Sequence, residues 1–340
     1  MWQRPCWPRS GPASAMSTAE QWRREDILSL LFDTDIDALC ERASRVLAEH
    51  KGRHVFVRGL VEFSNHCRRN CRYCGLRAAN KNLFRYRMDR EEILQAAAEA
   101  VGAGVDTIVL QSGESDIDAS WLAEIVSAIV TRFGVAVTLS VGEQPYKACA
   151  LWREAGASRF LLKHETADRE LYTALHPGHV LDERVECLKM LRGLGYEIGS
   201  GFIVGVPGQK PESLADDILL AHSLGVSMCG AGPFVPQADT PLGQEARGSV
   251  ELTLRVMAAL RIVLPWANLP ATTALATLDP LQGQAEGLRM GGNVLMPSFT
   301  PQKRREQYVI YDNKHRVAMT EVRTVIAMAN RTHTLDRKTA

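Results

Sequence analysis

The sequence predicts an α/β fold, a single (βα)8 barrel of the TIM type. Two observations carry this. Eight short β-rich runs alternate with amphipathic helical stretches, and polar residues collect at the carboxyl ends of those runs, where barrel enzymes place their chemistry. The absence of a G-x-G-x-x-G after the first run weighs against the alternative, a doubly wound open sheet that binds a dinucleotide.

Taken in order, an amphipathic helical region runs from about residue 20 to about Glu49, and Lys51-Gly52 ends it. The β-rich runs are HVFVRGLVEFS (54–64), TIVLQSG (107–113), VAVTLSVG (135–142), RFLLKHE (159–165), EIGSGFIVGVPG (197–208), SMCGAGPFVP (227–236), LPATTALAT (269–277) and NVLMPSFT (293–300). Between them stand helical stretches such as REEILQAAAEAVGAG and LDERVECLKMLRGLG, several closed by the glycine that a helix carboxyl end favours. The polar strand ends are Asn65 and Cys67, Ser112 and Glu114, Ser140 and Glu143, His164 and Glu165, and Thr272 and Thr273. The barrel is assigned to residues 20–325 and a frayed tail to 326–340. Residues 1–19 are set apart as disordered or over-extended. Rich in Arg, Pro and Ser, they read either as an organellar transit peptide or as an over-extended start with Met16 as initiator.

With 46% hydrophobic and 23% charged residues the chain can bury a large core, which excludes a disordered protein. Forty basic residues against 39 acidic ones leave no broad footprint for nucleic acid, and no apolar run reaches membrane-spanning length. Of eight cysteines, Cys67, Cys71 and Cys74 fall within eight residues and the rest are scattered. That spacing points to metal in a reducing, cytoplasmic setting rather than to a disulfide framework.

The stretch SNHCRRNCRYCGL holds a C-x3-C-x2-C motif directly after the first β-run. Three thiolates are one short of the four that usually hold a 4Fe–4S cluster, which leaves one iron open to an external chelator. The other reading is a zinc knuckle completed by His66, Cys149 or Cys229, although no second C-x2-C pair exists. Arg68, Arg69 and Arg72 flank the cysteines, as solvated surface or as charge that eases reduction of an anionic cluster. Tyr73 either packs over a bound adenine or serves the loop alone.

CRYCGLRAANKNLFRYRM, TIVLQSGE, AVTLSVGE, FLLKHETA, GFIVGVPGQ, GPFVPQADTPL, PATTALATLDP and NVLMPSFTP, in order from about residue 25 to about 312, resemble the HydE family of radical S-adenosylmethionine (SAM) enzymes, maturases of iron–iron hydrogenase. The resemblance implies that Cys67, Cys71 and Cys74 hold one 4Fe–4S cluster, which cleaves SAM to methionine and a 5′-deoxyadenosyl radical, with no catalytic side chain beyond cluster and SAM. It implies SAM contacts from Tyr73, Gly113, Glu114, Ser140, Glu165, Arg184 and Ile203. The guanidinium of Arg184 suits the methionine carboxylate, and Ile203 suits adenine. Ser112, Thr138, Met228, Thr272, Thr273 and Tyr308 are implied to line the substrate cavity. Set beside these are plainer roles: a structural Glu165–Arg184 ion pair at the rim, β-forming threonines and a core methionine. The family's substrate is a small organometallic iron–cysteine precursor supplied by HydG, its product passes to HydF, and its electrons come from a flavodoxin or ferredoxin. No cysteine follows Cys229, so no second cluster is expected. A biotin-synthase-like or methylornithine-synthase-like enzyme, or a non-catalytic iron–sulfur carrier, are the alternatives.

Overall fold

The computed structural model describes residues 22–333, so the reading of 1–19 lies outside the described residues. The leading helical region is divided. Helix α1 (Arg24–Leu28) runs into a π-type turn (Ser29–Asp33), and α2 (Ile36–Lys51) begins afresh. The break lies at Asp35, whose carboxylate accepts hydrogen bonds from the amides of Asp37 (3.0 Å) and Ala38 (3.1 Å) and so starts a new helix.

The βα alternation then follows. The first run is divided at Arg58 into β1 (His54–Val57) and β2 (Gly59–Ser64). After it come α3 (Arg90–Gly102), β3 (Thr107–Ser112), α4 (Ala119–Phe133), β4 (Ala136–Ser140), α5 (Tyr146–Glu154), β5 (Ala157–Leu161), α6 (Arg169–Leu175), α7 (Leu181–Gly193), β6 (Glu197–Val204), α8 (Pro211–Ser223), β7 (Met228–Pro233) and α9 (Val250–Val263). The chain continues through α10 (Thr273–Leu278), α11 (Gly283–Arg289), β8 (Val294–Leu295), α12 (Gln302–Arg305), α13 (Met319–Met328) and β9 (Thr332–His333). Gly134 ends α4 in the left-handed region at φ 65°, a conformation glycine adopts without penalty. No helix among the described residues is long and apolar enough to cross a membrane.

Strands β2 to β7 form one parallel sheet in sequence order. The ring closes through single bridges: Met228 to Asn268, Pro270 to Val294, and Ser298 to Leu60, with β8 also paired to β1. Backbone bonds from Cys229 N to Asn268 O (3.0 Å), Ala271 N to Val294 O (3.0 Å) and Leu60 N to Pro297 O (2.9 Å) complete it. The run 269–277, expected as a strand, keeps only its first residues in the wall. From Thr273 it is helical, because Thr272 Oγ1 accepts the Leu275 amide (3.4 Å) and the following Ala and Leu favour helix.

Along each strand, alternate residues divide between two environments. Phe63, Leu110, Leu139, Phe160 and Phe202 join the apolar layer under the helices, as in the 6.1 Å contact between the Phe63 and Trp121 rings. Each fully buried side chain there contributes about 2 kcal/mol. Glu62, Gln111, Thr138, Ser140 and Met228 alternate with them and face the lumen. The folded chain continues beyond residue 325: Ile326 is buried, and Thr332 and His333 pair with His54 and Val55.

Candidate active site

Beyond Ser64 the chain leaves the barrel wall as a loop that carries the three clustered cysteines. Asn65 frames it. Its Nδ2 donates to the carbonyls of Phe84 and Gln307 (2.8 Å each), and its Oδ1 accepts the Tyr86 amide (2.7 Å). Arg85 donates to the carbonyls of Asn65 (2.6 Å), Leu76 (2.8 Å), Arg77 (2.7 Å) and Asn80 (3.3 Å). The end of β3 packs directly beneath. A Cβ on Gly113 would stand 2.5 Å from His66 O and 2.9 Å from Cys67 Cβ, so only glycine fits.

Cys67, Cys71 and Cys74 are half-buried and free of disulfides. Burial pushes the Cys67 thiol up, and burial together with Cys67 pushes Cys71 up to about 12. Burial raises Cys74 too, with Cys71 and Cys67 adding to it. Three thiols that oppose one another's ionisation in a sheltered loop become favourable thiolates when a multivalent iron cluster supplies the countercharge. Of the residues read as completing a zinc knuckle, Cys149 and Cys229 are buried in the layer under the helices, outside the loop. Three free thiols in one sheltered loop are the donor set that a 4Fe–4S cluster takes, so the residues present fit such a cluster.

Beside the loop, at the ends of β3 and β4, two arginines and two glutamates interlock. Arg69 binds Glu114 closely and Glu143 at 2.8 Å, and Arg184 reaches Glu143 at 2.6 Å and Glu114 at 3.8 Å. Arg68 adds a 3.3 Å contact to Glu114, and His179 lies against Arg69. Gly142, at φ 73°, makes room for this square, since a Cβ there would stand 2.4 Å from Glu114 Cγ. Burial works against the charge of Arg184, yet Tyr172, Glu143, Glu114 and Glu165 hold its pKa above the ordinary arginine value. Arg69 is raised in the same way, Glu114 and Glu143 overcoming burial. The Glu165–Arg184 pair considered as a plainer role is not formed. Glu165 pairs with Lys163 at 3.4 Å, and Arg184 uses Glu143.

Glu165 itself stands at φ 66°, left-handed backbone that costs a non-glycine residue about 1–2 kcal/mol. Two backbone bonds to β6 hold it there, from Glu165 N to Gly201 O and from Ile203 N to Glu165 O, both 3.0 Å. Next to it Tyr73 packs on an apolar cluster of Ile203, Leu171, Leu175, Val206, Phe234 and Leu242. The Tyr73 hydroxyl meets His176 Nε2 at 3.0 Å, while His176 Nδ1 lies 2.9 Å from Tyr172 O. Burial pushes His176 down to about 4, so the ring is neutral. Its Nδ1–H donates to Tyr172, and Nε2 accepts from Tyr73. The result is an apolar cluster topped by a neutral Tyr73–His176 pair, beside the arginine–glutamate square.

The residues read as substrate lining fall into separate places. Thr138 and Met228 border a small cavity on the barrel floor with Arg58 and Arg159; Arg58 Nη1 touches Met228 Sδ at 2.9 Å, and Thr138 Oγ1 is buried without a partner. Thr273 and Tyr308 border a different cavity of about 250 Å³ at the mouth. Thr272 caps α10, its hydroxyl turned toward Gly232. The Ser112 hydroxyl is occupied by Gly113 O (2.8 Å). Sequence reasoning missed the lumenal ion pair of Glu62 with Lys314. Glu62 is fully buried, accepts from Ser298 (3.1 Å) and Thr300 (3.0 Å), and binds Lys314 closely; the Lys314 ammonium also stands 4.9 Å from the Tyr308 ring centre. A charged residue inside an otherwise apolar strand was its only signal. Arg69 and Glu143 were visible as a motif flank and a strand end, but nothing in the sequence paired them.

A thiol loop above the carboxyl ends of a parallel barrel, beside a buried square of two arginines and two glutamates, has the layout of a radical SAM protein, and the model of the Radical SAM superfamily matches residues 61–221. Within that class the chain is 47% identical over 281 residues to the [FeFe] hydrogenase maturase subunit HydE of Thermotoga maritima, covering 82% of this chain and 80% of that one; it belongs to the HydE family. It is also 28% identical to 3-methylornithine synthase of Methanosarcina acetivorans, over 88% of this chain and 85% of that one. Among solved structures, methylornithine synthase superposes with a TM-score of 0.81 at 25% identity, covering 92% and 94% of the two chains. The hydrogenase maturase HydG superposes at 0.80 and 16% identity, covering 92% and 73%, and shares the fold.

Proposed function

We propose that this radical SAM enzyme acts in assembly of the [FeFe]-hydrogenase H-cluster, as its 47%-identical relative is named to do, on a small organometallic iron–cysteine precursor. The carrying observation is the thiol loop of Cys67, Cys71 and Cys74 seated over the Arg69–Glu114–Glu143–Arg184 square. When bound, the cluster supplies the electron that cleaves SAM into methionine and a 5′-deoxyadenosyl radical. The chain's own residues bind and orient. Gly113 and Glu114 receive the SAM amine, Arg184 the carboxylate, Ser140 and Glu165 the polar edge, and Tyr73 and Ile203 the adenine. Thr138, Met228, Thr272, Thr273, Tyr308 and Ser112 border the space left for substrate. A single cluster is proposed, since no cysteine follows Cys229. Free thiols suit a reducing, cytoplasmic setting. HydG as supplier, HydF as recipient and a flavodoxin or ferredoxin as reductant complete the reading.

The test is anaerobic reconstitution with iron and sulfide, followed by dithionite and SAM. Wild type is expected to release 5′-deoxyadenosine and Cys71→Ala to release none. A fully loaded wild type that makes none, even with the HydG product added, overturns the reading.

A further inference from the structure

The charge of this chain is unevenly placed. Residues 65–90 hold eight of its 40 basic residues and one of its 39 acidic residues, so a chain of net charge +1 carries a strongly positive loop and a negative remainder. The positive loop is the one that bears Cys67, Cys71 and Cys74. Among the described residues Arg72, Arg77, Lys81, Arg85 and Arg87 have no carboxylate within ion-pair distance; Arg85 is spent on backbone carbonyls, while Arg72, Lys81 and Arg87 are exposed. Phe84, in the same segment of the chain, is 68% exposed. The acids nearby are already engaged: Asp116 with Arg68 (2.8 Å), Asp239 with Asn82 (2.7 Å) and Asp89 as the cap of α3.

We infer that this face of the loop is the docking surface for a small acidic one-electron carrier protein. The inference rests on the cluster reading above, since it supplies the reason for an electron to arrive here. Exposed cations around a solvated aromatic anchor suit an acidic protein rim around an apolar contact. RNA is disfavoured because the rest of the chain is net acidic and repels a polyanion that extends past the loop. In the transfer the reduced carrier loses one electron and the oxidised cluster gains it. Neither needs a proton from the chain, and the thiol loop keeps the path short.

The experiment measures binding of oxidised flavodoxin to the purified full chain, before and after cluster loading. Wild type is expected to bind, and its affinity to fall about tenfold between about 50 and about 200 mM salt. Lys81→Glu/Arg87→Glu, which leaves the arginines flanking the cysteines in place, is expected to weaken binding about tenfold and flatten the salt slope, with dithionite-driven 5′-deoxyadenosine release unchanged. Phe84→Ser, which touches no charge, is expected to weaken binding without altering that slope. Wild-type and charge-reversed proteins of equal affinity, or single-stranded RNA binding more tightly than flavodoxin, overturn the proposal. Loss of dithionite-driven release in the wild type would instead sink the cluster reading, and binding to the unloaded chain still decides the surface.

Discussion

The two arcs of the barrel wall are built differently. From β2 to β7 the strands are continuous and each is backed by a helix, with hydrocarbon outside and polar groups inside. From Asn268 to Lys314 the wall is reduced to single bridges and a two-residue strand, braced by one buried ion pair between Glu62 and Lys314. The regular arc carries the thiol loop and the arginine–glutamate square, whose ion pairs demand fixed geometry. The irregular arc carries Thr272, Thr273 and Tyr308, proposed above to border the substrate, on loops that a sheet does not constrain.

The largest test of this contrast is Glu62→Leu. It strands Lys314 without a countercharge and is expected to cost about 3–5 kcal/mol in denaturant unfolding, with Glu62→Leu/Lys314→Met recovering most of it. A loss below about 1 kcal/mol would show that the pair does not brace the closing arc.

In the regular arc, His176 provides the next. Its folded pKa of about 4 lies below its ordinary 6.5, so the unfolded chain binds the extra proton between those values. Stability is full above pH 6.5 and falls as pH drops toward 4, by at most about 3 kcal/mol. His176→Phe is expected to remove that part of the slope, read as unfolding midpoint against pH. An unchanged slope would assign the effect elsewhere.

Smallest is Thr272→Ala, expected to cost about 1 kcal/mol through the lost cap and to speed amide exchange in α10 while leaving β3 and β4 unaltered.

How far the sequence could be read follows the same division. Alternation of apolar and polar residues encodes a regular strand locally, so the arc from β2 to β7 was legible, as was a motif of three cysteines within eight residues. The run 269–277 misled because Thr and Ala are ambiguous by composition, and only the capping hydroxyl of Thr272 turns the chain into α10. Glu62 and Lys314 stand 252 residues apart and Arg69 and His179 110 apart, and no local pattern records such pairs. The Glu165–Arg184 pair was conceivable from residue types alone, but each found a nearer partner in Lys163 and Glu143.

The first strand waits for the last. β1 is flanked by β8 and β9, both made from the far end of the chain, whereas the thiol loop is complete by residue 89. During synthesis, therefore, the cysteines emerge well before the ring that shelters them can close. Iron and sulfide meet a closed ring only after translation has passed Ser298 and Lys314, and until then the nascent thiols depend on the reducing power of their surroundings.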